Sequence, residues 1–166
     1  MQVGASRPAP FSRRPGTPLD SPLTRPSLRA MPAALTAPQR RRLVAAARRA
    51  AAAAYAPYSR FPVGAAVLMA DGRVFTGCNV ENASFGLTNC AERTAIFSAV
   101  AAGSRRLRAV AVFTPTPTPT LPCGACRQVL HEFGPGAPVL SVCAGEGRVE
   151  TTLAALLPHA FGPADL

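Results

Sequence analysis

Three of the five cysteines lie in two short segments, Cys90-Ala91-Glu92 and Pro122-Cys123-Gly124-Ala125-Cys126, with Pro122 30 residues beyond Glu92. If the three thiols serve one metal ion, the fold has to bring both segments to a single point. Three thiolates fill three positions of a tetrahedral zinc, leave the fourth for water, and place the Glu92 carboxylate beside that water. Such an open site is hydrolytic. A Cys-x-x-Cys pair alone also suits redox chemistry. A closed structural zinc site needs a fourth protein ligand. Cys78 and Cys143 fall within apolar runs, where the expected role is that of a small buried hydrophobe. His131 lies more than a helical turn from Cys126, and His159 sits in a Pro-flanked terminal segment, so both read as surface histidines. The open three-cysteine site therefore ranks above a closed one.

The pattern around these segments is mixed. Thr36 is a plausible N-cap, Pro38 suits a first helical turn, and Leu43, Val44, Ala47 and Ala51 recur at helical spacing to about Ala54. Two β-rich runs, 65–69 and 73–78, meet at Asp71-Gly72, a hairpin signal. A loop from Asn82 to Asn89 delivers Cys90, and Ala91, Ala95, Ile96, Ala99 and Val100 then mark a helix closed by Gly103. A strand is expected at 108–114 and a Thr-Pro loop at 115–122, followed by a helix at 126–133 and strands at 139–143 and 148–151. A short terminal helix at 153–157 completes the set. The order α, β, β, α, β, α, β, β, α implies a mixed sheet with helices on its faces, an α/β sandwich.

Charge raises a competing reading. The formal charge is +10, and all 18 basic residues are arginine. Five of them precede Met31, and Arg40, Arg41, Arg42, Arg48 and Arg49 share the first helix. With 6% aromatic residues and no Trp, the chain offers little of the stacking surface that single-stranded nucleic acid requires. The basicity is read as solvated surface, with no polynucleotide partner. An odd cysteine count without a secretory segment points to a reducing compartment, hence the cytoplasm. No run of about 18 apolar residues is present, so no membrane association is expected. Residues 1–31 are rich in Pro, Ser and Arg and read as a disordered extension, loosely compatible with a transit peptide or with sequence upstream of a start at Met31. One domain is expected over 32–166.

Helix geometry refines the metal reading. If Cys90 opens one helix and Cys123 to Cys126 open another, three sulfurs meet where two positive helix ends converge, which favours thiolates. An isolated Glu92 would be an ordinary favourable charge near a helix N-terminus; an adjacent metal reverses that preference, and Glu92 can project into the same cleft. Three thiolates and Zn²⁺ sum to −1, which weakens the acidification of a bound water. Arg93 and Arg127 directly follow the ligand-bearing segments and are the candidate donors to sulfur that offset this charge.

Wider stretches carry a resemblance. Tyr58-Ser59-Arg60-Phe61-Pro62-Val63-Gly64-Ala65-Ala66, then Asn79-Val80-Glu81-Asn82-Ala83-Ser84-Phe85-Gly86-Leu87-Thr88-Asn89-Cys90-Ala91-Glu92-Arg93-Thr94-Ala95, then Pro122-Cys123-Gly124-Ala125-Cys126-Arg127-Gln128-Val129 resemble the homotetrameric zinc-dependent cytidine deaminases. The resemblance runs from about Pro38 to Asp165 and implies a three-layer α/β/α sandwich around a mixed five-stranded sheet. It also implies hydrolytic deamination of cytidine and 2′-deoxycytidine by a zinc-activated water, with Glu92 shuttling protons, in pyrimidine salvage. Cys90, Cys123 and Cys126 would hold Zn²⁺, with no organic cofactor. Phe61 would pack on the pyrimidine ring, Asn79 and Glu81 would bind the ribose 3′-hydroxyl, and Ala91 would also contact substrate. Neighbouring subunits of a homotetramer would complete each site. Phe85 stands where many relatives carry Tyr, so the hydrogen bond of that hydroxyl is absent. Two other readings remain: a deaminase of another cytosine nucleoside such as blasticidin S, and a structural-zinc or nucleic-acid-binding module.

Overall fold

The computed structural model describes residues 34–166; the readings made for residues 1–31 lie outside the described residues. Helix α1 (Ala37–Ala51) begins where the Thr36 hydroxyl accepts from the Gln39 amide at 3.3 Å and the Gln39 side chain accepts from the Thr36 amide at 3.0 Å, a capping box. It stops three residues short of the expected Ala54. The amides of Ala53 and Ala54 turn back to Ala50 and Ala51, and the Tyr55 amide bonds Asn79 O, which draws Tyr55 into a bridge with Val80. Pairing with the sheet side thus overrides the helical preference of the alanines.

Strands β1 (Gly64–Met69) and β2 (Val74–Cys78) form the expected antiparallel hairpin. Gly72 takes φ +85° at its turn, a left-handed conformation that suits glycine. Strand β3 (Leu107–Thr114) lies antiparallel to β1 on its other side. Strand β4 (Pro138–Cys143) runs parallel to β3 with Ser141 opposite Val112, and β5 (Arg148–Thr152) closes the edge antiparallel to β4. The mixed sheet has the order β2-β1-β3-β4-β5.

Alternation along the strands assigns the two faces. Ala66, Leu68, Ala109, Ala111 and Leu140 pack with Leu43 and Ala47 of α1. On the other face Val67, Val110 and Val139 pack with Ile96 of helix α2 (Ala91–Ala101) and Leu130 of helix α3 (Gly124–Phe133). Ile96 and Leu130 are fully buried, each contributing about 1.5–3 kcal/mol. This is a three-layer α/β/α sandwich. The short helix α4 (Leu153–Leu156) buries Leu153 in the same core as α2 and α3.

Two arginines of α1 are used structurally. Arg48 stacks 4.6 Å from the centre of the Phe113 ring and donates to Cys143 O at 2.8 Å, and Arg40 pairs with Glu150. Cys143 is fully buried, as expected; Cys78 is half-buried and donates to Ala53 O at 3.3 Å. Among the described residues no helix is long and apolar enough to cross a membrane.

Candidate active site

Gly77 governs how closely α2 approaches the sheet. A Cβ there would stand 2.4 Å from Ala95 N and 2.5 Å from Ala91 O, so only hydrogen leaves room for the first turn of α2. That turn carries the chemistry. Cys90 is the N-cap residue of α2, and Cys123 is the N-cap residue of α3, with Cys126 in the first turn that follows. Helix α3 therefore starts two residues earlier than the apolar spacing suggests, because Gly124 and Ala125 already adopt the helical turn that aims Cys126 back toward Cys123. Two positive helix ends meet at one point, as the spacing of the cysteines requires.

The three sulfurs all lie within 4.8 Å of one another, and those of Cys90 and Cys123 are 3.9 Å apart. Tetrahedral zinc with Zn–S bonds of about 2.3 Å places its sulfurs roughly 3.8 Å apart. The electrostatics agree with a cation site. The Cys90 thiol falls from 9.0 to about 5, chiefly through its hydrogen bond with Cys126 and further through Arg93. The Cys126 thiol is pushed up by that same shared hydrogen bond, by burial and by the Glu92 charge. The Cys90 thiolate therefore forms readily, and the Cys126 thiol resists ionisation unless a cation compensates it. The donor set and its spacing fit Zn²⁺.

Glu92 is 4% exposed, and burial, followed by the Cys90 charge, raises its carboxyl above the ordinary value. Arg93 Nη2 donates to Cys90 Sγ and to Thr88 O, both at 3.3 Å, while its buried Nε has no partner. Arg127, expected beside a sulfur, differs. Its Nε donates to Pro122 O at 2.7 Å and its Nη1 to Leu156 O at 3.1 Å. The side chain folds back across its own helix start, so it braces the backbone before Cys123 instead of neutralising a thiolate directly.

A cavity of about 190 Å³ opens in front of the sulfurs, and Phe61, Asn79, Glu81, Ala91 and Glu92 all line it together with Cys90 and Cys123. Asn79 is nearly buried; its Oδ1 accepts from Val63 N at 2.8 Å and its Nδ2 donates to Phe61 O at 3.0 Å. One amide hydrogen and one lone pair remain for a ligand. Glu81 accepts from the Ser59 hydroxyl, from Tyr58 N at 2.8 Å and from Ser59 N at 3.2 Å, and its carboxyl is held below the ordinary value, first by that hydroxyl. Ser59 and the Thr120-Leu121 pair are cavity-lining residues that sequence reasoning passed over. The signal available was position: Ser59 lies two residues before Phe61, and Leu121 immediately precedes the Pro122-Cys123 segment. Phe85 is 74% exposed and meets Tyr58 edge-on at 5.8 Å.

Residues 37–142, which include all three cysteines and Glu92, match the cytidine and deoxycytidylate deaminase zinc-binding region. The chain belongs to the cytidine and deoxycytidylate deaminase family. Within that family it is 53% identical over 114 residues to a cytidine deaminase of Sporosarcina psychrophila, covering 68% of this chain and 84% of the relative. It is 49% identical over 113 residues to a cytidine deaminase of Mycobacterium tuberculosis, covering 68% and 82% respectively. The fold matches the crystal structure of cytidine deaminase from Burkholderia pseudomallei with a TM-score of 0.71 at 52% identity, over 76% of this chain and all of that one.

Proposed function

We propose that the chain hydrolyses cytidine and 2′-deoxycytidine to the corresponding uridines and ammonia. The observation that carries the reading is the placement of buried Glu92 beside three converging sulfurs, on the wall of a cavity that also presents Phe61, Asn79 and Glu81. When bound, zinc supplies Lewis acidity that lowers the pKa of a water. Glu92 takes one proton from the attacking water and gives it to N3 as the C4–O bond forms; it then takes the remaining hydroxyl proton and gives it to the amino group, so that the C4–N bond breaks, ammonia leaves and C4 becomes a carbonyl. Burial raises the Glu92 pKa above the ordinary carboxylate value, the direction that suits a group that must both accept and give a proton. Phe61 packs on the pyrimidine ring, Ala91 lines the ring's end of the cavity, and Asn79 with Glu81 binds the ribose hydroxyl.

Arg93 offsets the negative charge of the thiolate set through Cys90, and Arg127 holds the turn before Cys123. The working unit is a cytoplasmic homotetramer that serves pyrimidine salvage. Exposed Tyr58, Phe85 and Leu87 support packing against further copies beside the segment that holds Glu81.

Glu92→Gln tests the proposal. Zinc content and thermal stability are expected to stay near those of the parent chain, while cytidine loss followed by ultraviolet absorbance slows on the order of 10³-fold. A zinc-free parent chain, or one that leaves cytidine unaltered, overturns the reading. A variant as active as its parent removes Glu92 from it.

A further inference from the structure

The Thr-Pro segment between β3 and Cys123 is poor in donors, because Pro115, Pro117, Pro119 and Pro122 carry no amide hydrogen. Its carbonyls are instead held from strand β4 and the turn after it. Ala144 N donates to Thr116 O at 3.1 Å, Cys143 Sγ to Pro117 O at 3.4 Å, and Ser141 Oγ to Thr120 O at 2.6 Å. The turn itself presses on the segment: a Cβ on Gly145 would stand 2.5 Å from Pro117 O. Of these donors Ser141 is the one nearest the cavity in sequence and space, since its acceptor belongs to Thr120, which lines the cavity with Leu121.

Ser141 is unusual for its place. It sits in the middle of β4, opposite Val112, on the sheet face that Val139 shares with α2 and α3, and it is fully buried. A buried hydroxyl at an otherwise apolar position costs stability unless it makes a hydrogen bond. The bond it makes goes to the cavity wall. We infer that Ser141 is a positioning residue for substrate: its hydroxyl fixes the Thr120 carbonyl and so sets the Thr120-Leu121 wall against which the nucleoside is held. Cys123 is anchored separately, by its place at the N-terminus of α3 and by the Arg127 bond to Pro122 O. Loss of the Ser141 bond therefore loosens the wall while the sulfurs stay in place.

This inference rests on the deaminase reading above, and its test separates the two. Ser141→Ala and Ser141→Cys remove the strong donor at nearly constant volume, and Ser141→Thr keeps a hydroxyl. Ser141→Ala, which has no donor, and Ser141→Cys, which has only a weak one, should both raise KM for cytidine, by up to about five- to tenfold, with kcat within about twofold of the parent. Cadmium titration, read by thiolate-to-metal absorbance, should give parent-like affinity in all three. Amide exchange of the 115–122 segment, read by mass spectrometry, should quicken in Ser141→Ala and Ser141→Cys and return toward the parent in Ser141→Thr, along with KM. Exchange needs no turnover, so a variant too unstable for kinetics is still judged by it. A parent-like KM and parent-like exchange in Ser141→Ala overturn the positioning role alone. Weakened cadmium binding also overturns it, since the bond would then serve the sulfurs. A parent chain that leaves cytidine unaltered takes both readings down.

Discussion

Arg93 Nη2 and Cys90 Sγ stand 3.3 Å apart, and this contact supplies positive charge to the thiolate that ionises first. The same nitrogen is tied to Thr88 O, so the guanidinium is fixed between the loop before Cys90 and the sulfur itself. A cation held in this way lessens the electron donation of three thiolates to zinc. Arg93→Ala should keep most of its zinc and lose about 10- to 100-fold in kcat/KM. Metal content measured beside cytidine turnover checks this; full zinc with unchanged turnover would refute the role. Arg93→Lys should recover only part of the loss, because an ammonium on a shorter stem replaces the terminal guanidinium nitrogen that reaches both Cys90 Sγ and Thr88 O.

Gly77→Ala places a methyl where the first turn of α2 now lies, against backbone atoms that cannot rotate away. The expected cost is about 1–3 kcal/mol of stability, with a visible loss of zinc per chain because α2 carries Cys90 and Glu92. Denaturant unfolding and metal analysis measure the two effects. A stable variant with full zinc would mean that α2 shifts along β2 without disturbing its N-terminus.

Local chemistry was the legible part of this molecule. Thr36 and Pro38 announced the start of α1, Asp71-Gly72 announced the hairpin, and the two cysteine segments announced a meeting of helix starts, because each depends on residues a few positions apart; the Gln39 half of the capping box came from the structure. The strand order β2-β1-β3-β4-β5 was not readable from alternation, since pairing between distant strands is decided by which faces the helices cover. Arg127 shows the same limit at the site. Its neighbour in sequence is Cys126, yet its side chain spans to Pro122 O and Leu156 O, and only the docking of α4 reveals the second acceptor. Ser141 lies 15 residues beyond Cys126 in an apolar strand, where nothing local marks a hydroxyl aimed at the Thr-Pro segment.

Asp71 is held at about 2, below its ordinary 3.8, first by the Ser104 hydroxyl at 2.7 Å and then by the Arg73 amide and side chain. A carboxyl whose folded pKa is depressed adds stability that is fully present above its unfolded pKa. That stability is lost as pH falls through the folded value. Its window here is between about 4 and 2. Ser104→Ala should return the folded pKa toward 3.8, so the variant is less stable than the parent at pH 6 and the difference shrinks as pH falls through 3. Thermal melts of both proteins across this range test the sign. A gap that widens with acid would exclude Asp71 as its source.

Arg60 has φ +56°, the left-handed region, between Ser59, which holds Glu81, and Phe61, which lines the cavity. Its amide closes the turn on Ala56 O at 3.0 Å, so the conformation is imposed by the backbone around it. An L-residue with a long side chain loses roughly 1–2 kcal/mol there, and Asn, whose short polar side chain tolerates this region, loses less. Arg60→Asn should therefore raise stability by about 0.5–1 kcal/mol at unchanged denaturant slope, with KM for cytidine near that of the parent. Arg60→Gly should gain less, because glycine adds freedom to the unfolded chain. A less stable Arg60→Asn would show that the exposed arginine makes contacts worth more than the strain it bears. A stabilised variant with a raised KM would show instead that the strain helps set Phe61 against its ligand.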